Sequence, residues 1–131
     1  MTAATPFSAT LLVMAGGATG AALRYHLGRL AFHLGATGYP WGTLAANILG
    51  GLAMGLLAGT LARIDGALES WRLLLGVGLL GGFTTFSAFS LEMVLMIERG
   101  EWAVALGYAL LSVVASVAAL FAGLSIVRVM A

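Results

Sequence analysis

Two long stretches of this chain, Trp41–Ala62 and Trp102–Val127, contain no charged residue at all. That fixes the solvent the chain folds in. About 20 apolar residues in helical conformation cross a bilayer, and only helices or closed barrels satisfy their backbone there. Phe7–Phe32 and Leu73–Glu92 are nearly as apolar, so the sequence predicts four spans. The composition agrees: 8% of the 131 residues are charged and none is lysine, against about 25% in a soluble domain. Almost nothing remains for an extramembrane domain, so residues 1–131 read as a single all-α, four-helix membrane unit.

Several function classes fall away on the same grounds. With no cysteine, disulfides and thiolate metal sites are excluded. A net charge of +1 leaves no nucleic-acid footprint. A phosphate-binding loop that ends in lysine is impossible without one, which argues against nucleotide-driven transport. No basic residue precedes Arg24, and the first apolar stretch is too long for a signal core, so it reads as a retained helix.

The expected links are His33–Pro40, Arg63–Arg72 and Arg99–Glu101. Four spans put both termini on one side, with Arg63, Arg72 and Arg128; the other side holds Arg24, Arg29 and Arg99. Basic residues normally mark the cytoplasmic loops. A three-to-three balance gives that rule little to read: either a factor outside the charge count fixes one orientation, or the chain inserts both ways and pairs antiparallel. Gly51, Gly55 and Gly59 form a small-residue ridge along the second span. Such ridges let helices approach closely in lipid, and here the ridge is expected to support a tightly packed oligomer.

The third span carries Gly81-Gly82-Phe83-Thr84-Thr85-Phe86-Ser87-Ala88-Phe89-Ser90. Adjacent glycines and β-branched threonines both weaken a helix, so the span is expected to break at its centre. Freed carbonyls would suit a hard cation that prefers oxygen ligands. Beyond the break, Phe86 and Phe89 share one helical face. Phenylalanine in a span usually meets lipid or core, but a ring edge is electropositive and tolerates an anion.

Other polar residues fall into register with this segment. Asn47 lies roughly 9 Å into the second span, with Thr43 one turn away. It could staple two helices or serve a permeant ion. Tyr108, Ser112 and Ser116 form an i, i+4, i+8 stripe on the fourth span. Serine in a membrane helix often bonds its own backbone. A stripe of three such groups in a charge-free helix instead suggests a track of neutral donors. Neutral donors and ring edges, with no fixed cation, suit an anion that must also leave.

The charged residues are plainer. Arg29 lies about 33 Å along the first helix and reads as snorkelling to headgroups. Arg24, about 26 Å along and preceded by Gly16, Gly17 and Gly20, is a candidate vestibule group. Glu92 ends the third expected span, as an interfacial anchor or a vestibule group. His26 and His33 lack the spacing of a metal site. Trp41, Trp71 and Trp102 each open a span in the interfacial manner.

With these residues assembled, the chain resembles the Fluc fluoride channels, also called CrcB proteins, over essentially its whole length. The resemblance lies in Gly16-Gly17-Ala18-Thr19-Gly20 with Arg24-Tyr25, in Gly42-Thr43-Leu44-Ala45-Ala46-Asn47 before Gly50-Gly51, and in the Gly81–Ser90 segment. It implies an antiparallel, dual-topology homodimer with two fluoride pores, in the inner (plasma) membrane, surrounded by lipid. It implies a central structural sodium ion, whose backbone ligands here fall on Gly81 and Thr84. The implied pore residues are Asn47, Phe86 and Phe89, with Tyr108, Ser112 and Ser116 as the polar track and Thr43 and Ser87 beside them. Ala88 stands where relatives often carry threonine. The implied function is passive fluoride export rather than catalysis. The rival reading is a small dual-topology cation or drug antiporter. That carrier needs a carboxylate inside the membrane, which a Glu92 at the end of its span does not supply.

Overall fold

The computed structural model describes residues 5–35, 37–64 and 69–130, and these are helical with short links. Helix α1 spans Pro6–His33 and α2 spans Trp41–Leu61. The third span, Glu69–Glu98, is composite. A turn at Glu69–Trp71 leads into a π-helical segment, Arg72–Leu80, then one α-turn at Gly81–Phe83, then helix α3 at Phe86–Glu98. Helix α4 runs from Trp102 to Val129. All four spans have the length and apolarity to cross a bilayer. Part of the expected Arg63–Arg72 link, residues 65–68, lies outside the described residues.

Local sequence explains where the helices begin and turn. Thr5 Oγ1 accepts a bond from Ser8 N, and Pro6 occupies the first turn of α1, where its missing N–H costs nothing. Between Phe83 and Phe86 the backbone is extended: Thr84 has φ −79° and ψ 157°, Thr85 φ −152° and ψ 124°. Thr85 Oγ1 then caps α3 by accepting from Ala88 N at 3.2 Å. Gly100, at φ +78°, makes the tight link into α4.

Helix packing corrects one expectation. The glycine ridge of α2 is consumed inside the chain, against α4. A Cβ on Gly51 would lie 2.6 Å from the Ser116 carbonyl, and one on Gly55 would lie 3.0 Å from Leu124 N. Gly123 reciprocates: its Cβ would come within 2.8 Å of Leu56 N. The ridge is therefore a seam between two helices of one chain and is not free for an oligomer. Gly16 and Gly20 of α1 play the same part against the third span, at Leu79 and Phe83.

A second correction concerns Glu92. The expected span ended there, yet α3 continues to Glu98. Met93, Val94, Leu95, Met96 and Ile97 follow it, and they keep burying one face: Met96 is 2% exposed. A hydropathy reading stops at the first charge, whereas a helix stops only where its hydrogen bonds or packing do. Glu92 consequently lies within α3. It packs near a small core of Leu44, Met96, Ala105 and Tyr108, joined by Tyr39 and Phe89.

Candidate functional site

The polar side chains converge at two places. The first is the extended pair Thr84–Thr85. Asn47 of α2 pairs with Thr85 through both halves of its carboxamide: Thr85 N donates to Oδ1 at 2.8 Å and Nδ2 donates to Thr85 O at 3.1 Å. The side chain so replaces the next helical turn. Arg24 Nε of α1 donates to Gly82 O at 3.3 Å, and Thr84 Oγ1 donates to Leu80 O at 3.0 Å.

The break leaves several carbonyls short, those of Gly81 and Thr84 among them. In a continuous helix, Gly81 O would accept from Thr85 N and Thr84 O from Ala88 N. Here Thr85 N is bonded to Asn47, and Ala88 N to Thr85 Oγ1. Gly81 and Thr84 thus hold carbonyls deprived of their helical donors. In a medium without water such groups need another partner, and oxygen donors of this kind fit a hard cation.

Beside the break runs a groove of about 430 Å³, bounded by Asn47, Thr84 and Thr85, by Phe86 and Phe89, and by Ser112 and Ser116 of α4. Phe89 is partly buried, whereas Phe86 is 77% exposed; their ring centroids are 5.5 Å apart. The serines answer a question left open by sequence. Thr10, Thr19, Thr60 and Ser90 each bond a carbonyl four residues back. Among the described residues, Ser112 Oγ and Ser116 Oγ are buried and make no hydrogen bond. Two buried, unpartnered hydroxyls on a groove are free donors, and each is costly unless something uses it. Ser87 is exposed, lies outside the groove, and sits with its Oγ 3.3 Å from Thr85 Oγ1.

The second meeting point is Glu92. Thr43 Oγ1 donates to Oε1 at 2.6 Å and Tyr108 Oη donates to Oε2 at 2.7 Å. The carboxylate ties α2, α3 and α4 together, a role that neither the anchor nor the vestibule reading contained. Tyr108, fully buried, packs on Phe89 with centroids 5.1 Å apart, which joins this cluster to the groove. A cleft of about 330 Å³ leads from Glu92 to Arg99 and Glu101 in the α3–α4 link. Those two form an exposed ion pair at 2.8 Å, which holds Glu101 below the usual carboxylate range.

Arg24 also borders a cavity of about 590 Å³, together with Arg29, His33, Gly42 and Thr43. Arg29 also lies over the Tyr25 ring, 5.9 Å from its centroid. Sequence reasoning missed Tyr39, whose ring meets Tyr108 edge-on at 5.4 Å and 78°. Next to Pro40 and Trp41 it looks like an ordinary interfacial aromatic, and no spacing rule links it to α4.

Fold and site define a small four-span membrane protein whose polar groups gather around an interruption of its third span. Residues 11–124 match the family model described as CrcB-like protein, Camphor Resistance (CrcB), and the chain belongs to that family. It is 63% identical over 121 residues to the fluoride-specific ion channel FluC of Phenylobacterium zucineum, covering 92% of this chain and 95% of that protein. The protein of the same name from Novosphingobium aromaticivorans is 57% identical over 123 residues, covering 92% and 97%. That from Erythrobacter litoralis is 53% identical over 131 residues, covering 96% of each.

Proposed function

We propose that this chain forms a fluoride-selective passive channel. The observation that carries the reading is the groove beside the break, which offers Phe86, Phe89 and two unpartnered serine hydroxyls and is bordered by no arginine. Fluoride holds its water tightly, so a selective path must replace hydration with several close donors. A fixed cation in the groove would hold the anion too well; neutral donors and electropositive ring edges let it go. With the cell interior negative, an open path drives the anion outward.

The proposal extends to assembly. The groove is open on one side, and Phe86 projects from it largely uncovered. A second copy in the opposite orientation would close it, in keeping with the three-to-three arginine balance. That reading no longer draws on the α2 glycine ridge. At the centre of such a homodimer, the Gly81 and Thr84 carbonyls of both copies would hold a structural sodium ion. Its charge would supply favourable potential for the anion. The membrane is proposed to be the inner (plasma) membrane.

The three relatives named above carry the channel name, which favours the channel over the antiporter. Glu92 no longer argues against the antiporter, because it lies inside a helix after all. The deciding experiment is anion efflux from liposomes holding the purified protein. Rapid fluoride release with chloride retained is the expected result; equal release of both, or of neither, refutes the proposal. Phe86→Ile and Phe89→Ile keep apolar bulk but lose the ring edge, and fluoride flux should fall in dimers that remain intact.

A further inference from the structure

The α1–α2 link carries an aromatic residue that no helix holds. Gly38 adopts φ +82°, and Trp41 N bonds back to Tyr39 O at 2.8 Å. This tight turn directs Tyr39 inward, where it is partly buried against the core. Its ring stacks obliquely on Trp41, with centroids 4.7 Å apart, and meets Tyr108 edge-on at 5.4 Å. Tyr108 in turn contacts Phe89 at 5.1 Å, and Phe89 contacts Phe86 at 5.5 Å. A continuous aromatic row therefore runs from the link to the break.

Tyr108 is the member of this row whose polar atom matters. Its side chain is fully buried and its hydroxyl donates to Glu92 Oε2 at 2.7 Å. A hydroxyl on a long, flat lever reaches one acceptor only while neighbouring groups hold its ring. Phe89 contacts that ring from within the bundle. Tyr39 contacts it from a turn, and its neighbours Gly38 and Pro40 border the cleft that leads to Glu92.

We propose that Tyr39 is a positioning residue for the fluoride path: its ring fixes Tyr108 so that the Tyr108 hydroxyl stays on Glu92 and the track remains in register. The inference rests on the functional reading above. It requires the ring of Tyr39, which makes the contact to Tyr108, and not its hydroxyl.

The test is a double-mutant cycle in fluoride efflux from liposomes, on variants that elute as intact assemblies. Tyr39→Phe keeps the ring and should conduct within about twofold of wild type. Tyr39→Leu keeps apolar bulk and should slow efflux about three- to tenfold, the range of an aromatic edge contact. Tyr39→Met serves if the leucine variant does not assemble. In a Tyr108→Phe background, which already lacks the hydroxyl, Tyr39→Leu should add less than about twofold. A general loss of structure would instead multiply the two effects, and that outcome overturns the inference. So does a leucine variant that conducts like wild type, while wild-type fluoride flux itself remains intact. A wild-type protein that carries no fluoride overturns the functional reading and this inference together.

Discussion

Replacing Asn47 with alanine tests the physical centre of the site. The substitution removes both bonds to Thr85, at 2.8 and 3.1 Å, and leaves one N–H and one C=O of an extended backbone without partners. Interhelical hydrogen bonds between membrane helices average only about 0.6 kcal/mol, because the unbonded groups find substitutes. Two such bonds would total about 1.2 kcal/mol. Thr85 has no substitute of that kind. Its N–H already lies outside any helical ladder, and a buried group left unsatisfied costs about 1–3 kcal/mol. For two such groups we therefore expect about 2–6 kcal/mol of local destabilisation, the upper estimate winning over the lower. Hydrogen exchange in peptides covering residues 83–89, with the protein in lipid nanodiscs, reads this directly. Each 1.4 kcal/mol is tenfold, so amide exchange at Thr85 should accelerate about 30-fold or more. Asn47→Asp separates the two bonds, since it keeps the acceptor for Thr85 N and sets an oxygen against Thr85 O. Its Thr85 amide should stay protected while fluoride flux falls. Acceleration below about eightfold in the alanine variant, the value for two ordinary interhelical bonds, would refute the view that Asn47 alone completes the break.

Ser112→Ala and Ser116→Ala should lose fluoride flux without losing thermal stability in detergent, because each removes a buried hydroxyl that has no partner. A drop in stability would mean that the hydroxyls serve packing. Gly55→Ala should lower the melting temperature by destabilising the α2–α4 seam about 1–3 kcal/mol, since its Cβ would lie 3.0 Å from Leu124 N in the neighbouring backbone. Glu92→Gln leaves one oxygen for two hydroxyl donors, so either Thr43 or Tyr108 loses its acceptor; stability should fall by about 1 kcal/mol, measured by thermal unfolding. Burial raises Tyr39 above the ordinary tyrosine value of 10.0. The folded protein then holds that proton more tightly than the unfolded one, so stability is complete below pH 10.0 and declines as pH rises beyond it. Tyr39→Phe should remove that part of the alkaline loss in a melting series.

What the sequence made legible follows from one-dimensional signals. Span number and the α3–α4 link came from hydropathy, and span bounds were within a few residues except at the third. That span runs Glu69–Glu98 rather than Leu73–Glu92, because a single charge with three-dimensional partners does not end a helix. The i, i+4, i+8 stripe on α4 was readable as a stripe, but not that Tyr108 turns to Glu92 while Ser112 and Ser116 stay unpaired. Helical spacing says which residues share a face and nothing about what meets that face. The α2 ridge shows the same gap: its glycines marked a close approach correctly, while the partner was α4 of the same chain. Tyr39 gave no signal, because its contact to Tyr108 joins a turn and a helix far apart in sequence.

Hydrogen-bond allocation narrows which groups a permeating anion could use. At the break, Asn47 spends Oδ1 and one N–H on Thr85, leaving one amide hydrogen. At the other end, the hydroxyls of Thr43 and Tyr108 are both committed to Glu92. Ser112 and Ser116 are the uncommitted hydroxyls on the groove among the described residues. An anion entering from the groove would therefore be received first by these serines and the remaining Asn47 hydrogen, with the Phe89 and Phe86 edges beside them. Further passage toward Thr43 and Tyr108 would meet hydroxyls already held in place on Glu92. On the proposed function, the track would then have a receptive half at the serines and a half already ordered on Glu92. Substitutions in the first half should act on anion affinity, and those in the second on the rate of passage.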